Sequence, residues 1–175
     1  MAQKHSKPQL LERRYKEKIM LPIKKIVCPT DFSEPSMAAL DAACEFAQHF
    51  NAELTILHVL PLTVIYPDEM GLAAANYLPS DEERRAQAQE QIADLIKERI
   101  PNDVRTATEV LMGDAPTEIT SVAADANADL IVIGTHGETG WRFLAIGSVA
   151  AKVVRMAHRP VLTIYGGPMP EESAR

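Results

Sequence analysis

The sequence predicts an α/β protein: a single domain with an open parallel sheet of about five strands and helices on both faces. Three observations lead there. The chain has 175 residues, close to the roughly 150 of one ordinary domain. Apolar runs of strand length alternate with segments of helical spacing, four times over, and a final strand follows. Two of the runs, LTILHVL and DLIVI, are nearly continuous, and such strands suit a parallel sheet buried on both faces. Alternation of this kind implies right-handed crossovers that place the helices against the sheet.

The elements follow in order. Ile23, Ile26 and Val27 make a short first strand ended by Pro29. Ser36 to Phe50 places Met37, Leu40, Cys44 and Ala47 on one helix face, with Pro35 where a first turn tolerates it. Leu54 to Leu60 is the second strand. Pro61 to Ser80 is weakly patterned and holds three prolines. Ser80 with Glu83 is a capping-box pattern opening a helix to about Arg99, with Ala88, Ile92, Leu95 and Ile96 as its apolar stripe. Val104 to Met112 reads as a strand and Thr117 to Asn127 as a helix. Asp129 to Ile133 is the cleanest buried strand. A glycine-rich loop leads to a helix from Ser148 to about His158, and Val161 to Tyr165 is the last strand. Residues 1–22 form a basic extension, 23–166 the domain and 167–175 a short tail.

Composition excludes several classes. No apolar run reaches the roughly 18 residues of a membrane helix. Aromatic residues make up only 5% of the chain, too few for a base-stacking nucleic-acid platform. Residues 1–25 carry eight basic and two acidic side chains, yet the whole chain has a net charge of −6. The remainder is therefore strongly acidic, which disfavours a nucleic-acid backbone as partner. The first 22 residues lack the apolar core of a secretory signal. Two cysteines without a Cys-x-x-Cys pair make neither a disulfide scaffold nor a thiolate zinc site. Cys28 and Cys44 read as small buried hydrophobes in a reducing, cytoplasmic compartment. The five histidines lack ligand spacing to one another, so no metal site is expected. His58 reads as a satisfied core histidine, and His136 as a ligand contact.

In open α/β sheets, ligands bind outside the carboxyl ends of the strands where strand order reverses. After Ile133 comes GTHGETGWRFLAIGSVAAKVV. Gly134 and Gly137 are two positions free to take positive φ, and Ser148 is a suitable cap for the helix that follows. That helix start carries unpaired N–H groups and is a ready anion site; a plain turn and cap would use the same residues. After the first strand comes Pro29-Thr30-Asp31. Asp31 there could accept hydrogen bonds from ribose hydroxyls or a base amine, or simply bond its own turn.

With these residues in place, the segment from Ile23 to Tyr165 resembles the universal stress protein family. The ATP-binding members carry G-2x-G-9x-G-S/T, which Gly134, Gly137, Gly147 and Ser148 fill. IKKIVCPTDFSEPSMAAL, ILHV, GDAPTEI, DLIVIGTHG and RPVLTIY add to the likeness in the same order. The resemblance implies a Rossmann-like fold of the adenine nucleotide alpha hydrolase kind. It implies that Pro29, Thr30 and Asp31 lie beside the adenosine and that Val59 offers its backbone to adenine. Ile133, Gly134, His136 and Gly137 would wrap ribose and phosphates, while Gly147, Ser148 and Val149 hold phosphate. The cofactor would be ATP, ADP or AMP, with Mg2+ carried by the phosphates. The family also implies a homodimer through the last strand, Val161 to Tyr165. Two positions depart from the pattern. Residue 138 is Glu where many relatives are basic, and Ala150 stands where a polar side chain is common.

The chain lacks a G-x-x-x-x-G-K-[ST] loop, an H-E-x-x-H helix and a G-x-S-x-G elbow. The resemblance makes the leading expectation an ATP-binding stress-response protein whose nucleotide state controls its partners, with no catalytic residues. Two alternatives stand beside it. One is a slow ATPase or autophosphorylating protein in the same pocket, although no positioned base or arginine finger is visible. The other is a nucleotide-free dimeric interaction protein.

Overall fold

A computed structural model describes residues 22–62, 79–135 and 146–166. It holds five strands and four helices: β1 (Lys25–Pro29), α1 (Glu34–Phe50), β2 (Glu53–Leu60), α2 (Asp81–Arg99), β3 (Arg105–Met112), α3 (Ala115–Asp125), β4 (Leu130–Gly134), α4 (Ser148–Met156) and β5 (Val161–Ile164). All pairings are parallel and the strand order is β3-β2-β1-β4-β5. The order reverses between β1 and β4, where Ile26 pairs with Leu54 on one side and Leu130 on the other.

The apolar strands divide their side chains between two cores, as the two-residue period requires. Ile26 and Cys28 of β1, with Leu130 and Val132 of β4, pack under α1 and α2 through Leu40, Ala43, Ile92 and Leu95. Val27, Ile131 and Ile133 face the other way, onto Ile119, Val122 and Ala123 of α3 and Ala150 and Val153 of α4. That division explains why Leu130 to Ile133 is apolar throughout.

Caps set the helix boundaries, and four of these boundaries differ from the sequence expectation. α1 begins at Glu34 rather than Ser36, because Ser33 accepts from the Ser36 N–H and Pro35 falls in the first turn. α3 begins at Ala115 rather than Thr117, because Asp114 accepts from the Thr117 N–H. α3 also ends at Asp125, with Asn127 just beyond it at φ 50°. α4 ends at Met156, short of His158. β5 stops at Ile164, leaving Tyr165 half exposed. At α2, Ser80 and Glu83 form the expected capping box in both directions. The basic extension, most of the 61–80 stretch and the tail after Gly166 lie outside the described residues.

Candidate functional site: a cavity at the strand-order reversal

A cavity of about 280 Å3 opens at the carboxyl ends of β1 and β4. Its volume lies near the lower end of small-molecule sites, roughly 300–1,000 Å3. Pro29, Thr30 and Asp31 line it from the end of β1, and Val59 from β2. Ile133 and Gly134 line it from β4, and Gly147, Ser148 and Val149 from the start of α4. Nine of the eleven residues expected at a site thus face one cavity. The other two, His136 and Gly137, lie outside the described residues, as does Glu138.

The turn after β1 is tightly bonded. The Thr30 N–H donates to the Leu57 carbonyl at 2.8 Å, extending the β1–β2 ladder one residue past the strand. Thr30 and Ser36 are both 5% exposed, with their hydroxyls 3.1 Å apart. Asp31 Oδ1 accepts from the Ser33 N–H at 3.1 Å and from the Ser33 hydroxyl at 2.5 Å. Asp31 therefore makes a local turn and lines the cavity as well. The two readings of this carboxylate are compatible, because one oxygen makes the turn; no described group donates to the other.

At α4 the arrangement differs from expectation in three ways. Gly147, not Ser148, is the N-cap, and Ser148 is the first helical residue. No described side chain caps the helix, and the first-turn N–H groups of Ser148, Val149 and Ala150 have no intrahelical acceptor and belong to residues on the cavity wall. The Gly147 N–H, in contrast, donates to the Thr135 carbonyl at 2.5 Å. Gly147 has φ −56°, an ordinary value for any residue.

Gly134 also lacks a positive φ, contrary to expectation. Its requirement is steric. A Cβ there would sit 2.7 Å from the Pro35 carbonyl oxygen and 2.9 Å from its carbon, both backbone atoms. Glycine at the end of β4 lets the first turn of α1 close over the strand. Sequence reasoning cannot distinguish this need from conformational freedom, since both demand the same residue.

Asp31 is the one charged side chain on the cavity wall among the described residues. Among the described residues, an anion would therefore meet amides rather than cations in this cavity. A second hollow of about 220 Å3 adjoins it, sharing Val59, Ala115, Ser148 and Val149, and carries Asp114 and Lys152. Hydrogen bonds from Thr117 hold the Asp114 carboxyl below the usual carboxylate range, helped by the Lys152 charge.

Sequence reasoning missed Ser36, Leu57, Ala115, Ile119 and Thr135 on the cavity wall, where Ala150 also lies. The segment GDAPTEI contains Ala115 and Ile119, but nothing in its spacing says that α3 leans over the strand ends. Ala150 is 2% exposed and lies between the cavity and the core, so its small size fits a packed position. His58 is half buried on β2, and its Nδ1 lies 2.8 Å from the Thr30 carbonyl, a satisfied histidine as expected.

Comparison with known proteins gives the same architecture. Residues 22–164 match the model of the Universal stress protein family. The chain is 36% identical over 142 residues to universal stress protein MJ0531 of Methanocaldococcus jannaschii, covering 81% of each protein. It is 33% identical over 146 residues to YxiE of Bacillus subtilis, covering 80% of this chain and 97% of that one. Among solved structures, MJ0577 of M. jannaschii superposes with a TM-score of 0.67 at 28% identity, over 82% of this chain and 96% of the other. UspA of Lactobacillus plantarum gives 0.65 at 25%, over 81% and 97%. With most of its length matched in sequence and its five-stranded parallel sheet shared with solved members, the chain belongs to the universal stress protein family.

Proposed function

We infer that this protein binds an adenine nucleotide, ATP in its fullest form, in the cavity at the strand-order reversal, and that nucleotide occupancy regulates its association with other proteins. The observation that carries this reading is the meeting, on one wall, of an acceptor for ribose or base and an uncapped helix start. Asp31 supplies the acceptor, with Pro29 and Thr30 beside it, and the Val59 backbone suits the base. Gly134 and Ile133 border the ribose position, with His136 and Gly137 following in the chain. The amides of Ser148 and Val149, with the Ser148 hydroxyl, suit the phosphates, and Gly147 leaves room for them. A longer phosphate tail running along α4 would enter the adjoining hollow beside Lys152. Mg2+ would travel with the phosphates, and no side chain is assigned to it.

A universal stress protein of Archaeoglobus fulgidus is solved in complex with dAMP, and it is 24% identical to this chain with a TM-score of 0.57. Another universal stress protein is solved with cAMP, at 22% and 0.51. Those likenesses carry the fold, and the nucleotide reading here rests on the cavity. Among the described residues no helix is long and apolar enough to cross a membrane, in keeping with a cytoplasmic place. A homodimer through the last strand belongs to the same reading. β5 is an edge of the sheet with all four residues half buried, and Val154, Met156 and Tyr165 are exposed close by in sequence; an apolar edge left bare invites pairing. Hydrolysis, if present, is expected to be slow.

The test is direct. Protein purified without added nucleotide is denatured, and the released ligand is identified by chromatography and mass. An adenine nucleotide near one equivalent supports the reading. Absence of nucleotide, together with no uptake of AMP or ATP in a titration, refutes it. Sedimentation at micromolar concentration tests the dimer, which a monomer would contradict.

A further inference from the structure

One residue near the site is held in a conformation that its side chain resists. Phe32 has φ 63°. Asn51 and Asn127 share the left-handed region, but asparagine tolerates it and a bulky residue does not. Both asparagines lie at helix ends. Phe32 instead follows directly on Asp31, in the turn that lines the cavity. Strain of this kind persists only where surrounding contacts over-determine it.

Those contacts can be traced. The Phe32 N–H donates to Thr30 Oγ1 at 3.0 Å. The Ser36 hydroxyl donates to the Ser33 carbonyl at 2.9 Å. Its single proton is thus used, and the Thr30 hydroxyl donates to Ser36 Oγ at 3.1 Å. Asp31 Oδ1 takes both Ser33 donors. Every one of these bonds lies within residues 30–36. From the neighbouring strand, His58 reaches the same turn twice. Its Nδ1 lies 2.8 Å from the Thr30 carbonyl, so Nδ1 carries the hydrogen and donates it. Its ring also packs on the Phe32 ring, with centroids 4.7 Å apart and planes tilted by 41°.

We propose that His58 is a positioning residue for the nucleotide site. By anchoring the Thr30 carbonyl and the strained Phe32, it fixes the turn that presents Asp31 to the cavity, though it does not itself line that cavity. This role rests on the nucleotide reading for its consequence and on the apo turn for its mechanism, so the two can fail separately.

The test uses His58→Phe, which keeps a ring against Phe32 and removes the donor, and His58→Asn, whose side-chain amide places a donor near the Nδ1 position. AMP is titrated into the parent and both variants. Amide hydrogen exchange of Phe32 and Ser33 is followed in the nucleotide-free proteins. The expected result is an AMP affinity about five- to tenfold weaker in His58→Phe, the ratio that one ordinary hydrogen bond gives. His58→Asn, which keeps a donor but loses the ring contact, should recover part of that loss, and exchange at Phe32 and Ser33 should speed up most in His58→Phe. Parent-like AMP affinity in His58→Phe, or a loss in His58→Asn as large as in His58→Phe, overturns the proposal. If the parent takes up no AMP, the nucleotide reading falls and exchange alone decides. Unchanged protection at Phe32 and Ser33 in His58→Phe then overturns the positioning role.

Discussion

Replacing Gly134 by alanine adds one carbon where β4 meets α1. The ideal Cβ lies 2.7 Å from the Pro35 carbonyl oxygen and 2.9 Å from its carbon, whereas ordinary contact begins at 3.4 Å. Strand and helix turn must therefore separate by about 0.7 Å, and neither is a flexible side chain that can swing away. Overpacking of this kind costs roughly 1–3 kcal/mol, and for a domain of this size each kcal/mol moves the melting temperature by about 2–4 °C. Gly134→Ala should thus melt about 2–12 °C below the parent in a thermal scan followed by circular dichroism. Pro35 and Ser36 belong to the turn that carries Asp31, so AMP affinity should fall with stability. A melting temperature equal to the parent's would refute the reasoning, since it would mean that β4 and α1 are not in backbone contact at Gly134.

Two further expectations follow from ionisation. The Ser80 N–H donates to the Glu83 carboxylate at 2.7 Å and holds its pKa below the ordinary carboxylate value. Because the folded value lies below the unfolded one of about 4.3, the stabilisation is present at neutral pH and is lost as pH falls through the folded value. Glu83→Gln, isosteric with the protonated acid, should therefore be less stable than the parent at pH 7 and equal to it near pH 3. An equal gap at both pH values in urea titrations contradicts this. Burial pushes the Cys28 thiol up well beyond the ordinary range, and burial with the Asp41 charge pushes Cys44 up to about 11. At pH 8 the folded protein should resist a thiol reagent and take two equivalents once unfolded; rapid labelling of the folded protein contradicts the buried placement.

What could be read from the sequence follows from what each signal encodes. Apolar runs and period-3.6 patterns mark every strand and helix of the described domain, because burial on both faces leaves DLIVI and LTILHVL few polar positions. Boundaries were harder, because caps act through single side chains. Ser33 and Asp114 start their helices earlier than the apolar stripe does. At the site, motif residues could be named but not their reasons. Gly134 is needed for close approach and Gly147 has an ordinary φ, and Gly147 rather than Ser148 caps α4. Ile119 and His58 act across long sequence separations that no local pattern records. Their places depend on the order β3-β2-β1-β4-β5, which brings β1 beside β4.

The central claim, that the cavity at the β1–β4 reversal holds an adenine nucleotide by its phosphates against the start of α4, is tested most directly by titrating AMP and ATP into the parent and into Gly147→Gln. Gly147 has φ −56° and ψ 156°, so a side chain is allowed by the backbone and the fold should survive. The glycine lines the cavity, so the added bulk competes with the ligand for space. The account predicts saturable binding of both nucleotides to the parent and loss of both in Gly147→Gln, with unchanged circular dichroism. Parent-like affinity in Gly147→Gln would contradict it.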